Sequence, residues 1–418
     1  MSMRETWNIP EFRRFLIGDG INTIGNSIFI VGMSWTVAQI GGPKIYGLIF
    51  TAYFLGHLPL LVFGGMVVDR FPRRTVALIA DLAEAGIISI ATIILFMGSP
   101  VIDTLLVTAF AVGGASAFSM PAVNALIPDL VEDKLLAQAS SIRGISITAA
   151  WALGLIIGSL LVGKWGIEIC LAIDVITFLI SAFILFTITE IPIRREEETS
   201  SMKEELLEAI RFVKTQPWLF AGLVIAMIWH LGDSAIEIGV PFIIEQKGIE
   251  MNIGMEGKAL MFGIFGAIGA VGAMIGSAIG GIYPIPKKHR GLVFYILIGT
   301  IAWSMLMWAM PIPYWLILIF VILEGIMGGS LMVIWRTSMS DSVDQYLRGR
   351  VNSLDSIGSL IFIPLSPLLG GWLIEETNVL FTYMVAVSIM ILVTTVGIIV
   401  PSFRKFERIE SGLFPIVE

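Results

Sequence analysis

Twelve apolar stretches, each about as long as a bilayer-crossing helix, alternate with short polar segments along the chain. They lie at roughly residues 14–38, 45–67, 75–97, 103–126, 140–162, 168–189, 218–243, 258–282, 291–310, 313–334, 352–373 and 379–400. Runs of about 20 apolar residues span a bilayer as helices, because a helix satisfies every backbone group within itself. The pattern therefore predicts an all-α integral membrane protein with twelve transmembrane helices. The longest polar stretch, about 190–217, falls between the sixth and seventh spans. Within it Leu206, Ile210 and Val213 recur at helical spacing, which predicts an amphipathic interfacial helix over Met202 to Val213. The expected division is a six-helix half at 1–190, a cytoplasmic linker at 191–217, and a second six-helix half with a short tail at 218–418.

The halves echo one another at a shift of about 212 residues. Pro128-Asp129-Leu130-Val131-Glu132 answers Ser340-Asp341-Ser342-Val343-Asp344, and Gly158 answers Gly370. Both pentapeptides follow an even-numbered span and lead into the next, as parallel repeats in a transporter would.

Charge sets the orientation. Twenty-two of the 26 Lys and Arg residues fall on one set of connecting segments, leaving Lys44, Lys164, Lys247 and Lys258 on the other. The positive-inside rule then puts both termini in the cytoplasm and the chain in the cell membrane. Composition agrees: 56% of residues are hydrophobic and 14% charged, where a soluble domain carries about 25% charged residues. The net charge of −7 says little about partners, because it sums over loops of opposite character. The charged N-terminus and the long first apolar run, with Asp19 inside it, do not read as a cleavable signal. A single cysteine, Cys170, excludes an intramolecular disulfide.

Several function classes drop out. No Gly-x-x-x-x-Gly-Lys-[Ser/Thr] loop or soluble domain offers ATPase chemistry. Three histidines and one cysteine make no metal site, and the scattered bases make no nucleic-acid surface. No nucleophile constellation suggests an enzyme, and no cofactor is implied.

The segment Gly65-Met66-Val67-Val68-Asp69-Arg70-Phe71-Pro72-Arg73-Arg74 interrupts two apolar runs with one acid and three bases. Its pattern, Gly-x-x-x-Asp-Arg-x-x-Arg-Arg, resembles the signature loop between helices 2 and 3 of the major facilitator superfamily of secondary transporters. Ala117 to Val131, Ala172-Ile173-Asp174-Val175 and Leu347 to Leu354 resemble its macrolide-efflux branch. The resemblance implies two six-helix halves around a central cavity, alternating access, and a protein that works as a monomer. It also implies export of hydrophobic or amphipathic compounds such as macrolide-like drugs. Lipid, lysolipid or siderophore transport on the same scaffold is the alternative, and a non-transporting membrane sensor a remote one. Two departures from proton-coupled drug antiporters stand out. Residues 104–125 contain no Arg or Lys, and span five reads Gly154-Leu155-Ile156-Ile157-Gly158 without a proline. In the second half, Gly280-Gly281 stands where the loop's acid would be.

In the family the signature loop latches the two halves together on the cytoplasmic side. The gate expected here comprises Gly65, Asp69, Arg70, Arg73, Arg74, Asp129, Arg143 and Asp355. Asp69 would cap the N-terminus of span eleven, Arg70 and Arg143 would pair with Asp129, and Asp355 would offer a further partner. Ionisable groups at membrane depth are costly and mark function by default. His230, Asp233 and Glu237 fall at i, i+3 and i+7 in span seven, and Asp19, Asn22 and Asn26 share that spacing in span one. Two carboxyls one turn apart and away from water cannot both be charged cheaply, which suits reversible protonation during transport. Asp233 and Glu237 are therefore the leading proton carriers, followed by Glu324, Asp19 and His230. Asp174 is expected to cap or anchor span six, and Asp81 and Glu84 to partner cytoplasmic bases. Asn22, Asn26, Trp35, Trp151, Trp229, Phe262 and Trp335 are candidates for an adaptable substrate pocket.

Overall fold

A computed structural model describes residues 3–189, 202–283, 285–360 and 362–406; the predicted linker residues 191–201 lie outside this range. In chain order the helices are α1 (Met3–Trp7), α2 (Pro10–Arg70), α3 (Arg73–Phe96), α4 (Val101–Leu130), α5 (Leu136–Trp165) and α6 (Ile167–Thr187). Then come α7 (Met202–Thr215), α8 (Pro217–Glu250), α9 (Met255–Ile282), α10 (Lys287–Trp308) and α11 (Tyr314–Ser342). The last are α12 (Gln345–Leu360), α13 (Leu365–Glu376), α14 (Val379–Ile399) and α15 (Pro401–Arg404). Among the described residues, ten helices are long and apolar enough to cross a membrane. Twelve crossings result because α2 serves as two, and because α12 and α13 share the eleventh.

The hydropathy minimum near residue 40 predicts a loop, yet α2 runs for 61 residues, about 90 Å at 1.5 Å per residue. That is far more than one crossing of a hydrocarbon core about 30 Å thick. The turn is made by one residue, Gly42, at φ 71° and ψ −177°, immediately before Pro43. This backbone region is essentially reserved for glycine, and a side chain there costs on the order of 1–3 kcal/mol. Gly42→Ala is expected to lower thermal stability by about that amount. Gly86→Ala, at an exposed helical site where the new Cβ meets nothing within 4 Å, is expected to leave it level or slightly raised. Equal melting of the two variants would remove Gly42 as the required hinge. The eleventh span departs from prediction in the opposite sense. It is expected as one helix and is broken around Pro364, because proline cannot continue the hydrogen-bond ladder.

The chain forms two compact units. The first comprises Met1–Arg195 together with Ile238–Val271 and Pro367–Val379. Its core gathers Phe29, Ile49, Ile88, Leu105, Leu171 and Phe178 from α2, α3, α4 and α6, with Ile238 and Ile374 from the later segments. Glycines let backbones meet here. A Cβ on Gly47 would lie 2.1 Å from the Pro367 carbonyl oxygen, and one on Gly371 would lie 2.2 Å from that of Pro43. The Lys44 backbone N–H donates to Glu375 Oε2 at 3.2 Å beside these contacts.

The second unit comprises Glu196–Glu237, Gly272–Ser366 and Leu380–Glu418. An aromatic group anchors it: Trp218, Phe294, Tyr295, Trp335 and Phe406 have ring centroids 4.8–6.2 Å apart. The amphipathic helix α7 belongs to this core. Ala209, Phe212 and Val213 are buried in it, and Glu208 accepts from Arg350 Nη1 at 2.6 Å. Its apolar face thus packs on protein, where periodicity alone predicts a membrane interface.

Candidate functional site: buried carboxyl groups and the arginine clamps that frame them

The signature segment is almost entirely helical. α2 continues to Arg70, only Phe71 and Pro72 lie outside helices, and α3 starts at Arg73. Arg73 Nη1 donates to Asp129 Oδ1 at 2.7 Å and to the Ala125 carbonyl at 3.0 Å, clamping the start of α3 to the end of α4. Arg74 donates to the Leu185 and Phe186 carbonyls, capping the C-terminal end of α6 where the helix dipole is negative. Asp69 and Arg70 are exposed. A Cβ on Gly65 would meet open space, so packing within the structure does not require glycine there. Asp129 is thus paired by Arg73, not by Arg70 or Arg143 as the sequence reading expects. The start of α3 aims Arg73 across at α4, whereas Arg143 is engaged by Asp19 and Asn124.

The second unit repeats the clamp. Arg290, opening α10, donates to Asp341 Oδ2 at 2.6 Å at the end of α11. Asp341 is the residue that answers Asp129 in the internal repeat, so the weak sequence echo has a physical counterpart in both halves.

Arg143 is held by the span-one stripe. Its Nε donates to Asp19 Oδ2 at 2.7 Å, and Nη1 donates to Asn124 Oδ1 at 2.9 Å. Further along α2, Asn26 donates to Asn22 Oδ1, and Asn22 donates to Asp81 Oδ1 at 3.4 Å. Asp19 is therefore one partner of a largely buried ion pair, and the stripe it begins continues onto α3.

In the second unit the predicted span-seven face is assembled as the spacing demands. His230 Nδ1 lies 3.7 Å from Asp233 Oδ2 one turn on. Glu237 is accessible on the same helix face and lies within electrostatic reach of both. Glu324, from α11, comes within electrostatic reach of Asp233 and Glu237. Three carboxyls thus act on one another at membrane depth, and His230 acts with Asp233 and Glu237. Asp355, on α12, accepts from Trp335 Nε1 at 3.0 Å and feels the charge of His230. At the 212-residue shift Arg143 corresponds to Asp355, so a base on α5 in the first half stands where the second half has an acid.

The pocket candidates divide. Asn22, Asn26, Trp35, Trp151 and Phe262 belong to the first unit, where the Trp35 and Phe262 rings pack at 5.8 Å. Trp229 and Trp335 belong to the second. Trp229 stacks edgewise on His230 at 5.5 Å, and its buried Nε1 has no hydrogen-bond acceptor. Trp335 packs against the core: it stacks on Phe294 and fills the space left by Gly222. It is half-buried and also holds Asp355.

Three expectations about other acids change. Asp81, Glu84 and Asp174 neither partner bases nor cap helix ends; all three are buried within the first unit. His57, in span two, goes unflagged by the sequence reading although the rule for ionisable groups at membrane depth applies to it. It is buried, and its Nδ1 lies 2.9 Å from Ser116 Oγ.

A family model described as Major Facilitator Superfamily matches residues 15–317 and 285–412. Macrolide efflux protein A of Streptococcus pyogenes is 24% identical over 296 residues, covering 67% of this chain and 72% of that protein. The multidrug efflux pump Tap of Mycolicibacterium fortuitum is 25% identical over 408 residues, covering 92% and 94%. Among solved structures, the nucleoside transporter NupG superposes with a TM-score of 0.72 at 12% identity, over 93% of this chain and 98% of that one. A bacterial homologue of the iron transporter ferroportin, in an inward-facing state, gives 0.68 at 15%, over 96% and 99%.

Proposed function

Because the chain belongs to the major facilitator superfamily, and is a multi-pass membrane transporter of small molecules, we propose that it exports hydrophobic or amphipathic compounds in exchange for protons. It does so by alternating access, as a monomer in the cell membrane with both termini cytoplasmic. The halves at 1–190 and 218–418 are the moving parts, and the segment at 191–217 links them. Macrolide-like drugs are the first substrates to test, because efflux proteins are among its relatives.

One observation carries the proton half of this reading: His230 lies 3.7 Å from Asp233, Glu237 shares their helix face, and Glu324 of α11 comes within electrostatic reach of both carboxyls. Neighbouring carboxylates repel one another, so with a single imidazole beside Asp233 the ionisation of all three is disfavoured. A group that must take up a proton to be stable in one state, and can release it when water reaches it, is a carrier. Asp233 and Glu237 lead, with Glu324 next and Asp19 held back by its arginine. The Arg73–Asp129 and Arg290–Asp341 clamps hold the ends of helices within each half, while exposed Asp69 and Arg70 are left to make the latch.

The test is uptake of a fluorescent cationic dye and of a labelled macrolide into proteoliposomes with an acidic interior. Wild type is expected to accumulate one or both while the gradient lasts. Asp233→Asn/Glu237→Gln is expected to fall to the protein-free background while still exchanging substrate across the membrane without a gradient. Accumulation by the double variant at the wild-type level would take the proton away from α8. No accumulation by the wild type would rule out proton-coupled export of these compounds.

A further inference from the structure

Within the first unit, away from the α8 carboxyls, three acids meet at the packing of α2, α3 and α6. Asp81 is 1% exposed, Glu84 4% and Asp174 0%. Asp81 is fully engaged: Asn22 donates to one oxygen, and Ser181 Oγ donates to the other at 2.7 Å. Asp174 Oδ1 accepts from Thr177 Oγ1 at 3.4 Å, but its Oδ2 is buried with no partner. Glu84 Oε1 is likewise buried and unpartnered. The charges that act on Glu84 are the carboxyls of Asp81 and Asp174, and the charge that acts on Asp81 is Asp19. No base intervenes among the described residues. Arg143 is committed to Asp19 and Asn124.

The helices are shaped around these groups. A Cβ on Gly25 of α2 would lie 2.6 Å from Asp174 Oδ1 and would overlap the Thr177 hydroxyl, so a glycine makes room for both. Tyr53, whose hydroxyl shares Ser116 with His57, lies within electrostatic reach of Glu84. The Tyr53 and His57 rings stack at 5.9 Å. Hydrogen bonds thus join Asn26, Asn22, Asp81 and Ser181, and separately Tyr53, Ser116 and His57, with Glu84 within electrostatic reach of Asp81 and Tyr53.

Burying one unpaired carboxylate is prohibitive, and three adjacent ones compound the cost by mutual repulsion. A purely structural role would be met more cheaply by amides or apolar residues of the same shape. We infer that Asp81, Glu84 and Asp174 form a second proton-binding site, inside the first half, which holds at least one proton here and exchanges it during transport. Each exchange moves one proton onto or off a carboxyl oxygen, with no other bond made or broken. Exchange during transport rests on the proton-coupled exporter reading above; occupancy by a proton does not.

The experiment uses the full-length protein in liposomes, with Asp233→Asn, Glu237→Gln and Glu324→Gln installed so that the α8 and α11 carboxyls are silent. Infrared spectra are recorded from acid to alkaline pH in light and heavy water. A neutral carboxylic-acid carbonyl band should persist at neutral pH, shift in heavy water, and diminish when Glu84→Gln or Asp174→Asn is added. No such band on this background, or a band untouched by both variants, would overturn the site. Tyr53→Phe leaves every carboxyl in place and should displace the band, which keeps the test open should the acid variants not fold. In the otherwise wild-type protein, Glu84→Gln should keep gradient-free substrate exchange and lose gradient-driven accumulation. Undiminished accumulation would overturn proton exchange at this site. Should the wild type itself show no gradient-driven accumulation, the exporter reading fails, and with it the exchange step, while the infrared result still decides occupancy.

Discussion

Arg143→Ala is expected to be among the most destabilising single substitutions in this protein. The guanidinium makes two contacts to Asp19, at 2.7 and 3.4 Å, and one to Asn124, and its plane lies over the Phe15 ring at 5.9 Å. The Arg143 and Asp19 side chains are only 16% and 11% exposed. Removing the base leaves Asp19 a carboxylate at membrane depth that also feels Asp81. Breaking such a pair from one side costs about 3–5 kcal/mol, most of it the stranded charge. Asp19→Asn should cost less, because Arg143 keeps Asn124 and can still donate to the oxygen of the substituted amide. The pair Asp19→Asn/Arg143→Gln should be milder than the sum of the single changes, with a coupling of about 0.5–3 kcal/mol. The protein supplies its own probe. Cys170 is its only cysteine and is buried on α6 in the same unit, so unfolding can be followed by its reaction with a maleimide dye. An Arg143→Ala protein that melts with the wild type would show that the pair contributes nothing net.

What could be read from the chain follows from how each feature is encoded. Spans are written locally, in the apolar content of consecutive residues, and nine of the twelve predicted stretches correspond each to one helix. The other three turn on single residues that a hydropathy window averages away: Gly42 bends α2 without a loop, joining spans one and two, and Pro364 splits the eleventh span. Spacing along one helix also carried. His230, Asp233 and Glu237 share a face because i, i+3 and i+7 do so in any helix. Partnership between helices did not carry, because it depends on crossing positions and rotations that no local pattern records. Arg73 rather than Arg70 or Arg143 reaches Asp129 for that reason. Asp81, Glu84 and Asp174 look peripheral when counted from span ends, yet three helix faces bring them together in the protein interior. His57 differs, since an ionisable group inside span two is visible in the sequence itself. Family membership was legible early because the signature loop concentrates unusual residues in a short segment, where no crossing geometry is needed.

Close packing of α9 on α11 gives the second large effect. A Cβ on Gly276 would lie 1.9 Å from the Ile326 carbonyl oxygen, and one on Gly329 would lie 2.1 Å from that of Ala273. Ordinary contact begins near 3.4 Å, and the obstacle in both cases is backbone, which cannot swing aside as a side chain would. Either helix would have to retreat by about 1.5 Å, enough to forfeit much of the dispersion energy along the seam. Two hydroxyls add to the seam: Ser330 Oγ donates to the Gly276 carbonyl at 3.0 Å, and Ser277 Oγ donates to that of Gly329 at 3.4 Å. In lipid, where helices gain nothing from hiding apolar surface from water, close approach and such bonds hold a bundle together. Gly276→Ala is therefore expected to lower the melting temperature clearly, and Gly276→Val to prevent recovery of monodisperse protein. Ser277→Ala and Ser330→Ala should each cost only about 0.6 kcal/mol. Gly281→Ala, five residues along α9 and facing open space, should melt with the wild type. The readout is the monodisperse fraction on size exclusion after heating, in one detergent for all variants. If Gly276→Ala survives as well as Gly281→Ala, the α9–α11 seam yields to an added methyl group, and backbone contact does not fix these two helices.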